Sequence, residues 1–216
     1  MDPETGAVLD AYAPEIELPP ASVTKALTAA YGMQKLGRDF QFLTSLSLQG
    51  RVTNGTLLGD IILTGSADPT LHTDDLVNFA KALQKTGVKA VKGRLLIVDN
   101  GFPYLREIDN GQLPQANYNP AIAGVNLNLN RVQFEWARHA GGGYDLSMSA
   151  PGRIYRPQIP SIGMRVEERN GPSYGYQHAP EREQWSVQRS ALGKDGGRWL
   201  PARNPRRYAG EAFRVI

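Results

Sequence analysis

The amino-acid sequence predicts an α/β (α+β) fold, in which helices and strands alternate along one chain. A strand, helix, strand unit is expected over about residues 57–99, because apolar runs flank a segment with helical periodicity. Another helix is expected to begin near Ser22. Alternation of apolar and polar residues resumes after residue 124, which favours further strands over a helical bundle.

The first 37 residues predict a turn, a short strand and a helix. The segment DPETG (2–6) has the proline and glycine of a turn, and AVLDAY (7–12) alternates as a strand does. Prolines keep the next segment extended. The helix is expected to run from Ser22 to Gly37, where glycine would form an αL cap. Its apolar stripe consists of Val23, Ala26, Leu27, Ala30 and Tyr31.

A β-hairpin is predicted around residue 54. The dipeptide Asn54-Gly55, which two-residue hairpin turns prefer, joins two strand-like runs. Residues 61–63 continue the second run as a buried strand, and GSADP (65–69) ends it. Asp68 is expected to form an Asx turn there rather than to coordinate a ligand.

A helix is predicted over HTDDLVNFAKALQKTG. Thr73 is the expected N-cap, and the carboxylates of Asp74 and Asp75 suit the positive end of a helix dipole. Gly87 is the expected stop. The segment VKAVKGRLLIVDN (88–100) then returns as a strand.

The second half predicts more strands and a final helix. Leucines and Val125 alternate with three asparagines over 125–130, which predicts a half-buried strand with the asparagines on its polar face. Later segments predict further antiparallel strands. A last helix is expected from Pro205, without packing partners in this chain. Its apolar residues are Tyr208, Ala209, Ala212, Phe213 and Ile216.

Composition indicates a globular protein and argues against several classes. Hydrophobic residues make up 41% and charged residues 21%, which is ordinary for a soluble domain. A net charge of +3 is too small to indicate nucleic-acid binding. Without cysteine, disulfides and thiolate metal sites are excluded. No apolar run is long enough to predict a transmembrane segment. No signal peptide is visible, and Met1 leads directly into a segment typical of the middle of a fold, so a processed or trimmed N-terminus is expected.

Three groups of polar or aromatic residues favour structural explanations. Basic residues crowd the C-terminal part, and we interpret them as a solvated loop. They are Arg182, Arg189, Lys194, Arg198, Arg203, Arg206 and Arg207. The three histidines, His72, His139 and His178, are too scattered to predict a metal site. Trp136, Trp185 and Trp199 are interpreted as core or interdomain packing.

The segment PASVTK places a hydroxyl and an amine three residues apart where a helix begins. Residues at i and i+3 share a helix face, so Ser22 and Lys25 can touch. A serine hydroxyl needs a nearby base to act as a nucleophile. Partial burial and the positive end of the helix dipole would both favour a neutral amine. The Ser22 N–H could then help to hold an oxyanion.

An ordinary helix start is the alternative for the same residues. Serine is a favoured N-cap and lysine a good helix former, and S-x-x-K alone arises often by chance. The position of the pair at a helix start, after a strand and a stiff proline segment, favours the catalytic interpretation.

Longer stretches resemble a known family. They are the run PASVTK followed by LG, NG, GDI, LTG and ADPTL, then VKGRLLIVD, YNPAIAGVNLNLNRV and PARNPRRYAGEAFRV. In this order they resemble the low-molecular-mass class C penicillin-binding proteins. These are D-alanyl-D-alanine carboxypeptidases and endopeptidases of serine peptidase family S13. The resemblance covers nearly the whole chain.

The resemblance implies a fold and a domain arrangement. It implies a partial penicillin-binding-protein/β-lactamase-like transpeptidase domain with a large inserted α+β domain. Residues 1–45 would begin the catalytic domain, 46–202 would form the insert, and 203–216 would return to the catalytic domain, where the chain is truncated.

The resemblance also implies a reaction. Ser22 would be the acylated nucleophile and Lys25 its base, without a cofactor or metal. The substrates would be peptidoglycan stem peptides, cut between two terminal D-alanines, and β-lactams would bind covalently. The location implied is the periplasm or another extracytoplasmic compartment.

Three departures from the family pattern limit what carries over. The family's S-x-N triplet is missing, since no serine stands two positions before an asparagine. A KTG run occurs at Lys85, but it ends a predicted helix and is interpreted as a decoy, with the functional elements expected beyond Ile216. Tyr118 is the candidate for the aromatic residue near the peptide side chain. Leu113 stands where the family has an acidic residue.

Alternative functions therefore remain open. The first is a serine carboxypeptidase that acylates at Ser22, and the second is an inert truncated fragment that only binds or scaffolds. A β-lactamase of the same superfamily is disfavoured by the long insert. We expect residues 1–216 alone to hydrolyse D-Ala-D-Ala peptides poorly, because one lost oxyanion donor alone costs about 10²–10³ in rate.

Overall fold

The computed structural model describes residues 1–179 and 181–216. The chain divides into two compact units, residues 1–41 and residues 42–216.

The first unit contains a turn and one helix. Gly6 N–H donates to Asp2 O (3.0 Å), which confirms the predicted turn. A 3₁₀ turn, Ala21–Val23, leads into α1, Thr24–Leu36. The predicted strand at 7–12 is wrong, because its backbone pairs with no second strand among the described residues of this unit. Gly37 ends the helix as expected, but with φ 86° and ψ 162°, outside the αL region.

The second unit begins with a four-stranded sheet and a helix. The strands are β1 (Ser45–Thr53), β2 (Thr56–Thr64), β3 (Ala90–Lys92) and β4 (Leu95–Val98), and the helix is α2 (Thr73–Lys85). β1 and β2 are antiparallel, and Asn54 and Gly55 take φ of 49° and 77° between them, which confirms the hairpin. β3 and β4 both pair in parallel with β2. The strand, helix, strand prediction is therefore confirmed.

Two three-stranded sheets follow among the described residues. Their strands are β5 (Arg131–Arg138), β6 (Tyr144–Ser149), β7 (Ile162–Glu167), β8 (Tyr174–Ala179), β9 (Arg182–Gln188) and β10 (Asp195–Pro201). One sheet has the order β10-β5-β6 and the other β7-β9-β8. The expected antiparallel pairs form, and β7 adds a parallel pairing with β9 that the sequence did not indicate.

The last helix packs on the core of this unit. α3 spans Pro205–Val215, and Asn204 caps it by accepting from Arg207 N–H at 3.2 Å. Tyr208 and Phe213 are 0% and 8% exposed, so the expectation of a helix without packing partners is wrong. They join a core to which all three sheets contribute. Its fully buried side chains from strands include Trp185, Phe134, Leu57, Leu63 and Leu200.

The predicted strand over 125–130 is wrong. Leu127–Asn130 form a 3₁₀ turn instead, in which Asn128, Leu129 and Asn130 have φ of 50°, 59° and 50°. Asparagine adopts this left-handed conformation more readily than most residues, so an Asn-rich run can turn where alternation alone predicts a strand. The asparagines point inward rather than to solvent: Asn128 and Asn130 are 5% and 1% exposed.

The predicted solvated loop for the C-terminal basic residues is also wrong. Most of them lie on β9, β10 and α3. Arg198 stacks 4.8 Å from the Tyr174 ring centre, and Arg207 Nε lies 3.1 Å from Glu211 Oε1. Arg203 is 3% exposed. Aromatic faces and carboxylates from distant segments therefore satisfy charges that the local sequence leaves unexplained.

Candidate active site

The hydroxyl of Ser22 and the amine of Lys25 are in direct contact. Lys25 Nζ donates to Ser22 Oγ at 2.8 Å, and both side chains are exposed. The pair lies where the 3₁₀ turn passes into α1, so helical geometry alone brings the groups together. A serine hydroxyl that is hydrogen-bonded to an amine at this distance has the arrangement of a nucleophile beside its base.

The backbone before Ser22 takes an unusual conformation. Pro20 has φ −68°, and the following Ala21 has φ 45°. Positive φ is uncommon for a residue with a β-carbon and is found often at functional sites. The Thr24 N–H closes the turn by donating to the carbonyls of Ala21 and Ser22.

Ser22 does not act as an ordinary capping serine in the structure. The N-cap position of α1 is Val23, and Ser22 lies one residue before it. No side chain caps either the 3₁₀ turn or α1. The Ser22 hydroxyl instead contacts Lys25, so helix capping does not explain this serine.

The KTG run lies at the end of α2, as the sequence predicted. Lys85 is the last residue of the helix, and Thr86 Oγ1 donates to Leu83 O at 2.7 Å. Gly87 follows with φ 83°. Each residue of the run therefore has a role in ending a helix.

At the other end of α2, the N-cap is His72 rather than the predicted Thr73, and the His72 N–H donates to Asp75 Oδ2 at 2.8 Å.

Tyr118 lies on a long loop of the second unit. We call residues 105–122 the Tyr118 loop, because Leu105 and Ile122 exchange backbone hydrogen bonds of 2.9 and 2.8 Å that close its base. Tyr118 is 68% exposed, and its hydroxyl donates to Gln112 Oε1 at 2.7 Å. Leu113 is also exposed. The exposed ring is available to a ligand while its hydroxyl is already oriented.

A carboxylate lies next to this tyrosine through one amide. Gln112 Nε2 donates to Asp109 Oδ2 at 2.9 Å, and Gly111 N–H donates to Asp109 Oδ1 at 2.8 Å. The Gln112 and Gly111 hydrogen bonds lower the pKa of Asp109, so the carboxylate stays ionised. Asp109 could not be identified from the sequence, because its link to Tyr118 through Gln112 depends on how the loop folds back.

Asp68, Trp136 and Trp185 take the structural roles expected of them. Asp68 Oδ1 accepts from Thr70 N–H at 2.8 Å, which confirms the Asx turn. Trp185 is fully buried, and Trp136 packs against the same core. Across residues 1–179 and 181–216, no group of three or more His, Asp or Glu side chains could hold a metal ion. No described helix is both long and apolar enough to cross a bilayer.

Comparison with protein families decides the classification. Residues 1–196 match the model of the D-Ala-D-Ala carboxypeptidase 3 (S13) family. The chain belongs to the S13 family. The resemblance given by its motifs is therefore confirmed.

Two curated relatives share sequence with part of the chain. A D-alanyl-D-alanine carboxypeptidase of Actinomadura sp. (strain R39) is 33% identical over 110 residues, which are 51% of this chain and 20% of that protein. The D-alanyl-D-alanine carboxypeptidase DacB of Haemophilus influenzae is 35% identical over 125 residues, or 56% and 26%. The matches thus span a fifth to about a quarter of the relatives' length.

Solved structures confirm the fold class. Penicillin binding protein 4 (dacB) from Haemophilus influenzae superposes with a TM-score of 0.67 at 24% identity, over 92% of this chain and 45% of that one. Its complex with a β-lactam gives 0.61 at 23% identity, over 91% and 42%. The mixed α+β fold is that of a penicillin-binding protein, of which this S13 chain covers less than half.

Proposed function

We propose that this chain carries the nucleophile region of a serine D-alanyl-D-alanine carboxypeptidase or endopeptidase that forms an acyl-enzyme at Ser22. The observation that carries the proposal is the 2.8 Å contact between Lys25 Nζ and Ser22 Oγ. Membership of the S13 family supports the same reaction class. The proposed substrates are peptidoglycan stem peptides, with β-lactams as covalent inhibitors, and the proposed location is extracytoplasmic.

The proposed chemistry follows from the two side chains. Lys25 Nζ takes the hydroxyl proton as Ser22 Oγ attacks the carbonyl between two D-alanines. The proton passes to the leaving amine, so free D-alanine departs and an ester remains on Ser22. Water then attacks the ester, with Lys25 again as base, and releases the shortened peptide. The Ser22 N–H is proposed as one donor to the oxyanion.

Tyr118 is proposed to contact the peptide side chain. Its exposed ring and oriented hydroxyl support the role.

The domain boundaries at 45/46 and 202/203 also remain predictions. α3 belongs to the same compact unit as the three sheets, and this observation does not favour a domain boundary at residue 203.

A second candidate function is binding without turnover. The missing S-x-N triplet and the helix-ending role of the KTG run favour it for residues 1–216 taken alone. Both candidates predict affinity for stem peptides, and acylation separates them.

Labelling with a fluorescent penicillin tests the proposal, because one acylation event is detected without turnover. We expect label on the unsubstituted chain at Ser22, located by peptide mass spectrometry, and none on Ser22→Ala. Ser173→Ala, at an exposed serine of the second unit, is the matched control and should label normally. Label on another residue, or undiminished label on Ser22→Ala, would refute the assignment. A chain that binds stem peptide without acylation would support the second candidate.

A further inference from the structure

One buried arginine fills the interior of the Tyr118 loop. Arg203 is 3% exposed. Its Nη1 donates to the carbonyls of Asn119 at 2.7 Å and Arg106 at 2.9 Å, and Nη2 donates to that of Pro114 at 3.3 Å. Glu107 Oε2 lies 3.7 Å from Nη2. One guanidinium thus joins backbone carbonyls from the start, middle and end of the loop.

The backbone of Arg203 is itself fixed. Its N–H donates to Glu183 Oε2 at 2.8 Å, and its carbonyl accepts from the Tyr104 hydroxyl at 2.8 Å. The Asn204 N–H donates to the other Glu183 oxygen at 2.9 Å. Glu183 is 3% exposed on β9 and also accepts from Tyr176 at 3.1 Å. The guanidinium therefore projects from a rigid point between β10 and α3.

The contacts reach Tyr118 through its neighbour. The Asn119 carbonyl binds Arg203, and the Asn119 side chain accepts from the Ile108 and Asp109 N–H groups at 2.8 and 2.9 Å. This second set of bonds ties the two sides of the loop together directly beside Tyr118. The loop has no helix or strand of its own, so its order depends on these contacts.

Only a guanidinium suits this arrangement. Its planar set of five donors can serve several carbonyls at fixed angles, whereas an ammonium is a compact point charge. Removing it would leave the buried carbonyl of Asn119 without this donor, and the carbonyls of Arg106 and Pro114 would lose the same partner. A buried acceptor without a donor is costly. The interaction is therefore a strong local constraint on the loop.

We infer that Arg203 is a positioning residue that holds the Tyr118 loop in the conformation that receives the peptide side chain. The inference rests on the proposed function, in which Tyr118 contacts the stem peptide. Arg203 touches no reacting atom and acts through the loop backbone.

Two measurements on the full chain test the inference. Amide hydrogen exchange at Ile108 and Asp109 reports loop order. The shift of 3-fluorotyrosine at Tyr118, assigned with Tyr118→Phe, reports binding of a pentapeptide ending in Lys-D-Ala-D-Ala. The dipeptide D-Ala-D-Ala, which has no residue before the terminal pair, is the ligand control.

The variants are Arg203→Met, Arg203→Lys and Arg207→Met. Arg203→Lys keeps the charge and the apolar stem, so it reports on the loop if Arg203→Met does not fold. Arg207→Met removes a partly exposed charge on α3 and is the matched control. We expect exchange at Ile108 and Asp109 to accelerate, and the pentapeptide Kd to rise, by at least about fivefold in both Arg203 variants. Arg207→Met should change neither, and a weak D-Ala-D-Ala affinity should stay the same in all variants.

Three results would overturn the inference. The first is unchanged exchange in a folded Arg203 variant, and the second is faster exchange with an unchanged pentapeptide Kd. The third is a pentapeptide that binds the unsubstituted chain without changing the 3-fluorotyrosine shift of Tyr118, or that binds Tyr118→Ala with an unchanged Kd. Failure of the proposed function appears separately, as absent penicillin labelling of Ser22 in the unsubstituted chain.

Discussion

The two candidate functional regions differ in the range of the interactions that maintain each of them. Ser22 and Lys25 are three positions apart, and a single helical turn sets their distance. The Tyr118 loop depends on Arg203, which lies 84 positions from its partner Asn119. Substitutions in the first region should therefore change chemistry without changing stability. Substitutions among the long-range contacts should change stability or loop order first.

The largest expected effect tests the local half of this comparison. Lys25→Met should lower the rate of Ser22 acylation by penicillin about 10²–10⁴-fold, because the base is lost. The melting temperature should stay the same, since the side chain is exposed. Stopped-flow labelling and thermal unfolding measure the two quantities. Lys35→Met on the same helix is the control, and an equal loss of rate there would contradict the role of Lys25.

The next effect tests the long-range half of the comparison, at the turn formed by Leu127–Asn130. Asn128 Oδ1 accepts from Thr73 N–H at 3.2 Å, and its amide donates to Thr73 Oγ1 at 3.0 Å. Asn128→Ala loses both bonds and strains a left-handed residue, so we expect about 2–4 kcal/mol less free energy of unfolding. Asn100→Ala is the control, because exposed Asn100 has φ 46° and would cost only about 1–2 kcal/mol. Equal losses in urea unfolding would show that the buried amide contributes nothing.

The smallest effect concerns pH and the carboxylate that fixes Arg203. Burial raises the pKa of Glu183, although the N–H groups of Arg203 and Asn204 act in the opposite direction. A folded pKa above the unfolded one means that the folded state binds more protons in the window between them. The contribution of Glu183 to stability is therefore greatest below the unfolded pKa and is lost as the pH rises through the folded pKa.

Urea unfolding between about pH 4 and pH 7 measures this dependence. Glu183→Gln should show a free energy of unfolding that falls less with rising pH than that of the unsubstituted chain. Glu135→Gln, which makes the same substitution at a partly exposed ion pair with Arg156, is the control for the loss of a carboxylate. Parallel curves for Glu183→Gln and the unsubstituted chain would contradict the raised pKa.

The range of interactions also explains what could be predicted from the sequence. The Asn54-Gly55 hairpin, α2 and the Ser22–Lys25 contact were predictable, because each depends on residues a few positions apart. The strand predicted over 125–130 failed, since the conformation of Asn128 depends on Thr73. A period-two pattern cannot reveal such a partner.

The burial of Arg203 was missed for the same reason. Arginine is rarely buried unless it is paired, and its partners come from the loop at 105–122 and from β9. The sequence next to Arg203 contains two more arginines, two prolines and an asparagine, and residues of these types are common on a surface. Asp109 was missed because Gln112, rather than direct contact, connects it to Tyr118.

The distance along the chain between the Tyr118 loop and its arginine has a consequence for biosynthesis. Ribosomes add roughly 5–20 residues per second, and Asn119 precedes Arg203 by 84 positions. The loop therefore leaves the ribosome several seconds before the guanidinium that completes it has been made. Until then its carbonyls are bonded to water, and the nascent chain exposes a segment that proteases and chaperones can reach. The loop becomes ordered only when Arg203 has emerged.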